Sequence, residues 1–140
     1  MTNVIAIQDI RKALNRKKAH LESIYELTVQ QDTLINSLDV VGLMENLNAR
    51  QEHIEAVETL EKGLPDRRTL LMNHDCARVA VAINAIVEKI QRLDIENQQK
   101  ARDCLIFLKG QARKISESRT GALYETIPAG ESQRCFDSKN

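Results

Sequence analysis

Tryptophan is absent from this chain of 140 residues, and aromatic residues make up only 3% of it. So few rings argue against a sheet sandwich or an aromatic-lined ligand pocket and suit aliphatic helix packing. Charge of either sign in excess is also missing: 20 basic residues face 20 acidic ones. No global field is left to draw in a nucleic acid or an anionic membrane, so neither is expected as a partner. No uninterrupted apolar run approaches the roughly 20 residues of a membrane span. The opening MTNVIAIQDIRK lacks the basic, apolar, small-residue order of a signal peptide. The expectation is a cytoplasmic protein without membrane insertion. Cys76, Cys104 and Cys135 form no close pair, and on one helix Cys76 and Cys104 would stand about 40 Å apart. Neither a disulfide framework nor a zinc knuckle is expected, and Cys104 reads as a small hydrophobe.

Catalytic patterns are missing as well. His20, His53 and His74 have Lys17, Arg50 and Leu71 three residues earlier, so the Glu-x-x-His ligand pair of di-iron bundles does not occur. Their surroundings, HLES, HIEA and HDCA, differ from the small, basic, Gly-containing turn after a phosphotransfer histidine. They read as surface or interface histidines. With no Gly-rich phosphate loop, nucleophile elbow or zinc-protease pair, no enzyme activity, cofactor or metal is expected.

What the chain does have is a seam of residues spaced by three and four, alternating as far as Cys104, the pattern of helices that wind around one another. It runs Ile7, Ile10, Leu14, Lys17, Leu21, Ile24, Thr28, Gln31, Ile35, Leu38; then Leu43, Leu47, Arg50, Ile54, Val57, Glu61, Leu64; then Val79, Ile83, Ile86, Ile90, Leu93, Asn97, Lys100, Cys104, Leu108. The expected fold is all-α: an elongated antiparallel three-helix bundle or coiled-coil hairpin with a long C-terminal helix and a mobile tail. One domain is expected over 1–118, with helices near 4–37, 40–62 and 76–118, and the tail over 119–140. Asp39 or Ser37 would cap the second helix, and Gly63 with Pro65 would end it. Residues 66–75 read as a connector whose Leu70, Leu71 and Met72 plug the bundle end. Asn73 or Asp75 would cap the last helix, and Gly110 is its weak point, costing about 1 kcal/mol relative to Ala.

A hairpin turning near Asp39 pairs Ile35 with Leu43, Ile24 with Ile54, Leu21 with Val57 and Leu14 with Leu64. It also sets Lys17 opposite Glu61, and the basic run Arg11, Lys12, Arg16, Lys17, Lys18 beside Glu52, Glu55, Glu58 and Glu61. The third helix can lie parallel to the first with Thr28 and Gln31 level with Asn97 and Lys100, joined by Arg50 in a polar layer that specifies alignment. Shifts by whole heptads keep the same phase. In this register the first helix ends opposite residue 107, and the third carries on for about eleven residues, roughly 16 Å. The overhang bears Leu105, Ile106, Phe107, Leu108, Ala112 and Ile115. Such surface either marks a protein-binding site or, through Phe107 and Leu108, caps the bundle end against the turn.

Four segments carry a family resemblance: the long first helix, LDVVGLMENLNARQEHIEAVETLEKGLP, IQRLDIENQQKARDCLIFLKG, and a tail with Tyr124 followed by CFDSKN. Taken in order, over nearly the whole chain, they resemble the flagellar export chaperones of the FlgN type. Asn97 is followed by Gln98, Gln99 and Lys100 where that family often has Asn-Leu-Leu, which keeps the related FliT-type cap-protein chaperone in contention. The resemblance implies a cytoplasmic protein that binds C-terminal helical segments of hook-associated junction proteins, prevents their premature assembly and delivers them to the type III export gate or ATPase complex. It places cargo contacts at Leu105, Phe107, Leu108, Ala112 and Ile115 and an export-gate contact at Tyr124. Phe136 and Asp137 match a tail motif without an assigned role. The competing class is a coiled-coil adaptor without an export role, a third reading is a signalling module acting through His53, and a homodimer stays open.

Overall fold

In the computed structural model, residues 2–121 are described, with side chains described over 7–117. Tyr124, Phe136, Asp137 and most of the expected tail lie outside them. Four helices follow one another: α1 over Thr2–Asn36, α2 over Val40–Lys62, α3 over Arg67–Leu71 and α4 over His74–Gly121. The fold is all-α. α1 packs along both α2 and α4, running antiparallel to the first and parallel to the second. α4 starts two residues earlier than expected and continues through Ser118 to Gly121.

The seam buries as its spacing requires. Leu14, Leu21 and Ile24 of α1 meet Val57 of α2 and Cys76, Ile83 and Ile90 of α4 in the main core, with Ile54 and Leu64 packed against it. A smaller cluster, Ile35 and Cys104 flanked by Leu43 and Phe107, closes the turn end. Full burial of each Leu or Ile stabilises by about 1.5–3 kcal/mol.

Between the two clusters lies a polar layer of Thr28, Gln31, Asn46 and Asn97, all buried. Asn97 Nδ2 donates to the Thr28 carbonyl at 2.9 Å and to Gln31 Oε1 at 3.3 Å. Gln31 Nε2 donates to Asn46 Oδ1 at 3.0 Å, and Asn46 Nδ2 to the Leu27 carbonyl at 2.9 Å. Thr28 Oγ1 donates to the Ile24 carbonyl at 2.6 Å. Thr28 and Asn97 therefore stand level, as expected. Lys100 and Arg50 leave the layer for its rim, where they pair with Asp32 and, at 2.7 Å, with Asp94.

Two expectations for α2 need correction. Leu47 is 45% exposed, and Asn46 takes the inward position instead, because its amide finds a donor and an acceptor on α1. Of the basic run, Lys17 meets Glu61 at 3.0 Å, but Arg11 turns to Asp75 of α4.

The α1–α2 turn is closed by two backbone bonds, Asp39 N–H to the Leu34 carbonyl and Leu38 N–H to the Ile35 carbonyl. This pairing needs a left-handed residue between helix end and exit, and Leu38 supplies it with φ 53°. Asp39 then caps α2 by accepting from Gly42 N–H at 2.8 Å. A Cβ at Gly42 would stand 2.5 Å from Asp39 Oδ2 and 2.9 Å from the Leu34 side chain, so a larger residue there would push the capping carboxylate and the leucine aside.

The connector is not irregular throughout. α3 forms because Asp66 accepts from Thr69 N–H at 2.9 Å, and it plugs the bundle end through Leu70 alone, leaving Leu71 and Met72 exposed. Asn73 caps α4 through Cys76 N–H.

Two outcomes follow from these contacts. Asn97→Ala strands Gln31 Oε1 inside the bundle and should lower the unfolding free energy by about 1–3 kcal/mol in urea titration. Hydrogen bonds from the Thr69 side chain and N–H hold the Asp66 carboxyl below its ordinary range. Its capping contribution is thus present at neutral pH and lost as pH falls through that depressed value. Asp66→Ala should remove this acid-side loss from the stability profile without touching the main core.

Candidate functional site

The turn end is where the packing runs out. α1 stops at Asn36, and Ile35 shares a cluster with Cys104, so the sixteen residues of α4 from Ile106 to Gly121 extend past it by about 24 Å. Leu34, Ile35 and Leu38 from α1 and its turn, Val40 and Leu43 from α2, and Ala101, Cys104, Leu105 and Leu108 from α4 enclose an open trough of about 280 Å³. Small-molecule pockets usually hold about 300–1,000 Å³ and are more enclosed. Of the described lining residues only Asp39 is charged, and its carboxylate is engaged by Gly42. Among the described residues, the trough offers shape and apolar area to one or two large side chains, with its one carboxylate committed to capping α2.

Each proposed cargo residue has a definite place. Leu105 and Leu108 line the trough while remaining 52% and 41% exposed. Ala112 and Ile115 are exposed farther along α4, and the spacing 105, 108, 112, 115 keeps all four on one face. Phe107 points elsewhere: it is half-buried against Ile35 and Cys104 and caps the bundle end. Tyr124 lies outside the described residues. The sequence reading missed Val40, Val41 and Met44, which are 60–69% exposed on the first turns of α2. Val40, Met44 and Leu47 recur at four and three on a line beside the seam, a signal masked by placing Leu47 within the seam itself.

The cysteines also differ from expectation. Cys104 sits in the seam as a buried residue, yet it is disulfide-bonded rather than a simple hydrophobe. Cys76 is free, and burial pushes its thiol above the ordinary range, which keeps it protonated and a poor nucleophile.

His20 and His53 form a pair that the helix pattern did not show. Their Nδ1 atoms are 2.9 Å apart and their ring centroids 5.2 Å apart, little more than the nitrogen separation plus two ring radii. The nitrogens therefore point at one another along a single N–H···N bond, and their lone pairs do not converge on a third atom. Among the described residues no group of three or more His, Cys, Asp or Glu could hold a metal ion, and no helix is long and apolar enough to cross a membrane.

Comparison with protein-family models, curated proteins and solved structures finds no match for the chain.

Leu38 brings apolar surface to the trough from a backbone conformation that costs an L-residue about 1–2 kcal/mol. Leu38→Ala and Leu38→Gly lose the same wall, but only glycine relieves the backbone. Urea denaturation should find the glycine variant more stable than the alanine variant by about 1 kcal/mol, reversing their order at ordinary helix positions.

Proposed function

We propose that this chain is a non-enzymatic export chaperone of the FlgN type, acting in the cytoplasm on flagellar hook-associated junction proteins. The observation that carries the reading is the apolar trough at the overhanging end, continued along α4 by Leu108, Ala112 and Ile115. An amphipathic helix laid into such a groove anchors residues spaced by three and four. The cargo that the resemblance implies is the C-terminal helical segments of junction proteins. Covering them removes the apolar stripe from competing assembly contacts, and each anchor buried contributes about 1.5–3 kcal/mol. Tyr124 is the proposed contact with the export gate or ATPase complex, so that capture by α4 and delivery by the following segment use adjacent parts of one chain.

The exposed Val40, Val41 and Met44 favour one other reading, a coiled-coil adaptor whose second copy covers this end of the bundle. A helical cargo fits better, because the apolar lining of the trough continues along α4 in Ala112 and Ile115 on the face that bears Leu105 and Leu108.

Leu105→Asp combined with Leu108→Asp should leave helicity by circular dichroism unchanged. It should weaken binding of a junction-protein C-terminal segment by about 100-fold or more in titration calorimetry. Undiminished binding would move the site elsewhere. Truncation after Ser118 should keep the bundle folded and abolish binding to the export gate. Native mass spectrometry of the untruncated chain that showed only dimers, indifferent to junction proteins, would sustain the adaptor instead.

A further inference from the structure

The apolar stripe of α4 carries cations along one edge only. At about 100° per residue, Leu105, Leu108, Ala112 and Ile115 share a face, and Arg102, Lys109 and Arg113 all fall along a single border of it. On the opposite border Cys104 and Phe107 pack with Ile35 of α1. Asp103 and Glu117 stand roughly on the far side of the helix from the stripe. We infer that the trough and stripe receive an amphipathic helix with carboxylates along one edge, which Arg102, Lys109 and Arg113 select and orient. The inference rests on the reading of this surface as a helix-binding site and adds the charge of the helix it takes.

Nothing on α4 neutralises these cations. All three are exposed, and none enters an ion pair among the described residues. One turn before and after Arg102 stand Gln98, Gln99, Leu105 and Ile106. Around Lys109 the corresponding positions are Leu105, Ile106, Ala112 and Arg113, so neither cation has a carboxylate neighbour along the helix. Lys109 and Arg113 are four residues apart, a like-charge spacing that destabilises an isolated helix. The whole chain balances 20 basic residues with 20 acidic ones, so this local excess is segregated rather than compositional.

The facing wall has the other sign. Asp39 belongs to the trough, and the exposed surface of α2 beyond it carries Glu45, Glu52, Glu55 and Glu58. An acidic edge is drawn to α4 and repelled by α2, so charge fixes which way round the partner lies while the leucines hold it. An apolar stripe with a basic flank also occurs on helices that lie on anionic membranes. Two features favour a peptide helix here. The cations border the stripe on one side instead of both, and the α2 carboxylates would oppose an anionic surface.

The test uses the full chain and three synthetic helical peptides that share leucines at spacings of three and four. They differ only in having glutamate, glutamine or lysine along one edge. In titration calorimetry at low salt the glutamate peptide should bind about tenfold more tightly than the glutamine peptide, the product of three exposed ion pairs. The lysine peptide should bind more weakly than either. At about 1 M salt the advantage of glutamate should shrink to about twofold or less. Arg102→Gln, Lys109→Gln and Arg113→Gln combined should erase the ranking while leaving helicity and the affinity of the glutamine peptide unchanged. Equal binding of the three peptides, binding of none, or a ranking that survives in the triple variant would overturn the inference. So would anionic phosphatidylglycerol vesicles that displace the glutamate peptide from the wild-type chain. The two readings fail separately. A junction-protein segment bound equally by the wild-type chain and the triple variant would overturn the charge selection and leave the chaperone standing. Selection among the peptides without any junction-protein binding would sustain the charge selection and remove the chaperone.

Discussion

The hydrogen bond from Asn97 to the Thr28 carbonyl fixes everything downstream of it. Two parallel helices with the same apolar period stay in phase at any shift of a whole heptad, so apolar packing leaves a set of near-equivalent alignments. Within that set, one alignment brings Asn97, Gln31 and Asn46 together, and every other leaves buried amides without partners at a cost of about 1–3 kcal/mol each. Because that alignment is fixed, the amount of α4 left beyond α1 is fixed too. The overhang and its trough are products of a polar layer situated two turns away.

The turn adds a second constraint. A tight reversal at Asp39 demands left-handed backbone just after α1, and the chain meets that demand with leucine instead of glycine. The side chain so retained lines the trough beside Leu105 and Leu108. Backbone strain located at an apolar recess, rather than in the core, is the pattern expected where surface is kept for a partner. Gly42 completes the arrangement by allowing α2 to start hard against Leu34 and the Asp39 carboxylate.

Much of this was legible from residue spacing. The seam, the Asp39 cap, the Lys17–Glu61 pair and the level of Thr28 with Asn97 all follow from periodicity and one turn position, because coiled helices convert sequence intervals directly into height and azimuth. Departures occur where side-chain chemistry overrules hydropathy. Asn46 displaced Leu47 from the interior because the layer offered its amide two partners, which an apolar pattern cannot register. Phe107 turned toward Ile35 because azimuth, not apolar character, decides which overhang residues face the trough. α3 depended on a single capping carboxylate, and the His20–His53 contact on ring orientation, neither of which a heptad count weighs.

The division of the interior into two apolar clusters also has a kinetic consequence. The main core unites seven buried residues from three helices, whereas the turn-end cluster rests on two, with polar amides separating them. Sub-global opening follows local density of buried contacts. The turn end can therefore fray and reclose while the far end stays folded, and amide protection should fall in a step across the Asn97 layer rather than decline smoothly along the helices. A recess that breathes on its own, insulated from the stability of the whole, can adjust its width to differently shaped occupants without risking the fold.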